Sequence, residues 1–168
     1  MIYVCPLSRL HETVEATGAR HIITLINGET VVVRPETVEP DNHLFLGFND
    51  IAEDMDGMVA PGAHHVRELF TFVEAWPRET PLVIHCYAGI SRSTAAAYAT
   101  LCTLMPQANE LELAQRLRQL SPSATPNPRI IALADKALGR EGRMIAAIQS
   151  IGRGADAFEG TPFALPLN

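Results

Sequence analysis

Nine consecutive residues, His85-Cys86-Tyr87-Ala88-Gly89-Ile90-Ser91-Arg92-Ser93, set a thiol, a guanidinium and a hydroxyl at short fixed spacing. An apolar run, Pro81 to His85, precedes them, and a stretch without charge, residues 93–105, follows. The first reads as a buried strand and the second as a buried helix. A loop that leaves a strand's carboxyl end and enters a helix N-terminus is a ready anion site. Free backbone N–H groups converge there, and the helix dipole favours negative charge. If the loop wraps an anion, Cys86 sits at its floor. Amide donors and a helix N-terminus lower a thiol's pKa from about 8.5, and the thiolate is the form that attacks. Arg92 offers a planar fork of donors that matches two phosphate oxygens, which a lysine does not. Gly89 permits a tight backbone path. Ser93 is placed to donate to the sulfur and to help it leave. The loop residues Tyr87, Ala88, Gly89, Ile90 and Ser91, with Arg92, form the expected phosphate cradle. The chemistry implied is attack of sulfur on a phosphoryl centre.

The pattern His-Cys, five residues, Arg-Ser resembles the signature of the protein tyrosine phosphatase superfamily. In the form His-Cys-x-x-Gly-x-Ser-Arg-Ser it is most similar to the small dual-specificity branch. The matching positions are His85, Cys86, Gly89, Ser91, Arg92 and Ser93, and the resemblance extends over about residues 1–138, including Pro126-Asn127 at the start of a late helix. It implies a single-domain α/β fold, a phosphocysteine intermediate, no metal cofactor and an aspartic general acid on an upstream loop. Asp50, Asp54 and Asp56 are the candidates for that acid. Asp50 is favoured because it directly follows the strand-like His43 to Phe48 and so leaves the same sheet edge as Cys86 if the strands are parallel. Asp54 and Asp56 stand in an acidic loop whose reach the sequence leaves open.

The expected substrates are phosphotyrosine or dual-specificity protein substrates, or a small phosphomonoester, with phosphate or vanadate as ligands of the loop. Tyr87, Ala88, Ile90 and Ser91 carry no positive charge, whereas relatives that act on inositol phospholipids often place lysines there. Two other readings remain beside this one. A catalytically inactive phosphate-binding module would normally lack the cysteine, the arginine or the acid. A rhodanese-type sulfurtransferase also cradles a reactive cysteine, but His85 and the Arg92-Ser93 pair fit it less well. His85 and Cys86 do not suggest a shared metal ion, since adjacent strand residues point to opposite faces.

The elements that must position these groups follow from periodicity and punctuation. Strands are expected at Ile2 to Leu7, His21 to Ile26, His43 to Phe48 and Pro81 to His85, with a short one at Val31 to Val33 that Pro35 and Pro40 weaken. Helices are expected from a Ser8 cap to Thr17 before Gly18, over 62–76, over 93–105, after Asn109, after Asn127-Pro128 and over 141–151. Arg116 and Arg118 read as helix surface. The fold class is α/β: a single domain with a mainly parallel central sheet flanked by helices and a helical C-terminal third. The domain is expected over 1–151, followed by an irregular tail, 152–168.

Bulk properties set the outer limits. With 168 residues the chain suits one domain, and its net charge of −6 argues against a broad nucleic-acid surface. No segment is long and apolar enough to span a bilayer, and the first residues lack the pattern of a signal peptide, so a cytoplasmic location is expected. The three cysteines, Cys5, Cys86 and Cys102, do not form a disulfide framework. Cys5 and Cys102 read as packing.

Overall fold

The computed structural model describes residues 1–168. Strands β1 (Ile2–Pro6), β2 (His21–Ile26), β3 (His43–Gly47) and β4 (Leu82–Cys86) run parallel. The sheet order is β3-β2-β4-β1, with β5 (Phe163–Leu165) antiparallel to β1 at the edge. The central position of β4 explains its composition, because every residue of Leu-Val-Ile-His-Cys is buried. A strand covered on both faces cannot alternate apolar with polar residues. Since β1 to β4 are parallel, the segments that leave Ile26, Gly47 and Cys86 emerge at one edge of the sheet.

One helix covers one face. Leu10 and Val14 of α1 (Leu10–Thr17) pack on Cys5, Ile22 and Val83. Gly18, at φ 67°, ends this helix in the left-handed conformation expected of a C-terminal glycine. The other face is covered by α2 (Ala63–Ala75), α3 (Arg92–Leu104), α4 (Glu110–Leu120), α5 (Pro128–Ala137) and α6 (Arg143–Ile151). Helix α3, which carries no charge after Arg92, lies in the middle of this layer and is buried from Arg92 through Cys102. Asn109 accepts from the N–H groups of Leu111 and Glu112, and Asn127 from those of Arg129 and Ile130. Each thereby satisfies two of the free donors at a helix start.

Four expectations need correction. Val31 to Val33 makes no strand. Val31 and Val33 are exposed, while Val32 and Val38 turn toward the core beneath α1. Ser8 does not cap α1. A short 3-10 turn over Leu7–Arg9 intervenes, and the Ser8 hydroxyl donates to Glu159 instead. The tail is not irregular throughout, because Phe163–Leu165 finds a free edge on β1 and becomes β5. Arg116 and Arg118 are not simply helix surface. Arg118 donates to the carbonyls of Pro122, Ala124, Ile151 and Gly152, and Arg116 to those of Pro166 and Asn168. Carbonyls of the loop after α4, the end of α6 and the tail supply the partners.

Candidate active site

Cys86 is the last residue of β4, and Arg92 is the first of α3. The loop between them curls so that the Gly89 N–H donates to Cys86 Sγ at 3.2 Å. Ser93 Oγ lies 3.1 Å from the same sulfur. Gly89 is required twice over. Its φ is +69°, and a Cβ there would stand 2.7 Å from Pro6 N and 2.9 Å from Cys5 C. The loop is thus pressed against the exit of β1 by backbone on backbone, where no side chain fits.

Arg92 is buried, with 6% of its surface exposed. One terminal nitrogen, Nη1, donates to Asn27 Oδ1 at 2.9 Å and to the Phe48 carbonyl at 2.8 Å. Its Nε–H is buried without a partner in the protein. A guanidinium tied at one nitrogen and unpaired at another is positioned for an anion, since a buried donor left unmatched is costly. Asn27 follows β2 and Phe48 follows β3, so both anchors come from the same sheet edge as the thiol.

Asp50 also reaches this edge. Its Oδ1 accepts from Ser91 Oγ at 2.8 Å and from Asn127 Nδ2 at 2.8 Å. Asp54 points elsewhere, onto Arg129 at 3.0 Å, and Asp56 is exposed. Of the three candidate acids, Asp50 is the one that touches the loop. Tyr87 stands exposed. Together with Asn27, Ile51, Met58 and Arg92 they line an open cleft of about 320 Å³.

On the opposite face of the sheet from the Cys86 side chain runs a buried polar chain. Thr24 Oγ1 lies 2.7 Å from His85 Nε2 and 2.8 Å from His43 Nε2. His85 Nδ1 is 3.4 Å from the Cys86 carbonyl. Burial pushes the His85 pKa down to about 4, so the imidazole is neutral at pH 7. Burial pushes the thiols of Cys5 and Cys102 up to about 12, in keeping with a packing role for both.

The protein-tyrosine phosphatase family model matches residues 54–124, the stretch that contains the loop. No curated protein sequence matches the chain significantly. Among solved structures, DUSP15 superposes with a TM-score of 0.67 at 18% identity, covering 89% of this chain and 89% of its own. The chain has the dual-specificity phosphatase fold. The likeness to these structures is one of fold, and it takes in the sheet and its helices. A mouse putative dual specificity phosphatase complexed with zinc tungstate matches with a TM-score of 0.62 at 18% identity, over 87% of this chain and 86% of that one. The human tyrosine phosphatase-like serine/threonine/tyrosine-interacting protein matches with a TM-score of 0.64 at 16% identity, over 83% and 92%.

Several members of this site were not foreseen. Asn27 reads in sequence as half of an Asn-Gly turn. Its place directly after a strand parallel to β4 was the available signal. Asn127 reads as a helix cap, and it is one, but its amide nitrogen also holds Asp50. Nothing in sequence marks Thr24 as the partner of His85 and His43.

Proposed function

We propose that this protein is a cysteine-dependent phosphatase that hydrolyses phosphate monoesters through a phosphocysteine intermediate. The observation that carries the reading is the joint geometry of three groups. A sulfur receives an amide N–H and faces a serine hydroxyl, beside a buried guanidinium with an unpaired N–H. The Cys86 thiolate attacks phosphorus, the P–O bond to the leaving group breaks, and Asp50 gives that oxygen a proton. Loop N–H groups and Arg92 take the charge on the transferring phosphoryl oxygens. Water then attacks the phosphorus with Asp50 taking its proton, the S–P bond breaks to release inorganic phosphate, and the departing thiolate accepts a hydrogen bond from the Ser93 hydroxyl.

The family match and the shared fold support a phosphatase in general. The mouse putative dual specificity phosphatase of like fold is complexed with zinc tungstate, which is in keeping with a site for oxyanions. The fold alone also carries a phosphatase-like interacting protein, so hydrolysis is argued from the loop and not from the fold. The retained cysteine, arginine and aspartate speak against an inactive module, and a shared hydroxyl, acid and guanidinium speak against a sulfurtransferase.

For substrate class, the reading is phosphotyrosine or dual-specificity protein substrates. Apolar surface from Tyr87, Ile51 and Met58 flanks the cleft, and Arg92 is the single cation lining it. An aromatic monoester finds ring contacts and one clamp there, whereas a polyphosphorylated headgroup meets no further cation.

Rapid mixing with excess p-nitrophenyl phosphate followed by acid quench tests the intermediate. The expected result is a phosphoryl group on the Cys86 peptide. Turnover with no phosphorylated Cys86 peptide, even in Ser93→Ala, would contradict the covalent route.

A further inference from the structure

The carbonyls of the phosphate loop are held from outside. Leu7 N–H donates to Tyr87 O at 3.1 Å, Gly160 N–H to Ala88 O at 2.7 Å, Thr125 N–H to Ile90 O at 2.9 Å and Asn127 N–H to Ser91 O at 3.3 Å. In a planar trans peptide the C=O and the following N–H point in opposite directions, and this chain has no cis bonds. Drawing a loop carbonyl outward therefore turns the next N–H toward the sulfur. The Ala88–Gly89 peptide shows both ends of this lever. Gly160 holds its carbonyl, and its N–H reaches Cys86 Sγ at 3.2 Å.

Gly160 belongs to the tail, outside the stretch that matches the family model. It is buried against the loop, and a Cβ there would lie 2.8 Å from Gly89 O. The contact is backbone against backbone, so neither side can relieve it by a rotamer change. The tail is fixed on both sides of this point. Ser8 Oγ donates to Glu159 Oε2 at 2.8 Å, and Phe163–Leu165 pairs with β1.

We propose that Gly160 is a positioning residue, whose N–H sets the orientation of the Ala88–Gly89 peptide and so how firmly the Gly89 N–H holds the Cys86 sulfur as thiolate. The proposal rests on the reading of Cys86 as the nucleophile. It makes the C-terminal segment a working part of the anion cradle, not an appendage.

The test compares wild type with Gly160→Ala in the full chain. The rate of Cys86 alkylation by iodoacetamide is followed against pH by peptide mass, alongside kcat and KM for p-nitrophenyl phosphate. A second form replaces the Gly160 amide by an ester, installed by ligating a synthetic C-terminal segment. It deletes the N–H donor without adding an atom, and it serves also if Gly160→Ala fails to fold. Both changes are expected to raise the pH at which alkylation is half-maximal and to lower kcat about tenfold or more, with KM little changed. Ser8→Ala, which removes only the outer tether, is expected to leave the alkylation profile in place. A folded ester form with the wild-type alkylation profile would overturn the proposal. Absence of turnover in wild type would instead strike at the phosphatase reading, while the alkylation profiles still report on the cradle.

Discussion

The site works through single atoms with few alternatives. Arg92 is locked by Asn27 and Phe48 before any ligand arrives, so the entropy of ordering a long side chain is already spent. Asp50 is held in the same way by Ser91 and Asn127. Its proposed role as proton donor has a signature that mere positioning lacks. Asp50→Ala is expected to slow hydrolysis of phenyl phosphate by about 10² or more, and that of p-nitrophenyl phosphate much less. The second leaving group departs without a proton. Steady-state rates over a series of leaving groups check this. An equal loss across the series would remove Asp50 from the acid role.

At the scale of elements, Asn127 joins two duties. Its Oδ1 caps α5, and its Nδ2 holds Asp50 and reaches the Ile51 carbonyl at 3.3 Å. Asn127→Ala is therefore expected to cost about 1 kcal/mol of stability through the lost cap. It should also lower kcat by less than Asp50→Ala does, since Ser91 still orients the carboxylate. Denaturant melts and steady-state kinetics on the same preparation separate the two effects. Much of this level was legible in the sequence. The wholly apolar β4, an α3 free of charge after Arg92 and the asparagine caps announce themselves, because burial on all sides and helix starts leave compositional marks. The loop chemistry was legible for the same reason, since Cys86, Gly89 and Arg92 each do something few other residues can. The unread parts depend on long-range pairing. Phe163–Leu165 is a strand only because β1 has an open edge. Arg118 is a clamp only because the loop after α4 and the end of α6 bring carbonyls to it, and Gly160 matters only through a backbone contact with Ala88.

For the whole molecule, the sheet edge unites function with a stability cost. The neutral His85 is buried on the face of β4 opposite the Cys86 side chain, tied through Thr24 to His43. An unfolded histidine titrates near pH 6.5, whereas burial holds His85 down at about 4. Between those values the unfolded chain binds the extra proton. Stability is thus fully present above about pH 6.5, falls as pH drops toward about 4, and the His85 contribution to the loss ends there. The loss attributable to His85 is about 3 kcal/mol. Chemical denaturation at stepped pH should show it in wild type and show less of it in His85→Gln. Equal slopes in the two proteins would place the acid sensitivity elsewhere. The same polar chain explains why the α1 face of the sheet tolerates a histidine at all, since its ring finds a partner at Thr24 and is not left unsatisfied.

The measurement closest to the central claim is release of nitrophenol from p-nitrophenyl phosphate, in chelator and reductant across pH 5 to 8, by wild type and by Cys86→Ser. The account predicts turnover by wild type and none by the variant, with vanadate competing at the same site. No turnover by folded wild type, or undiminished turnover by Cys86→Ser, would contradict it.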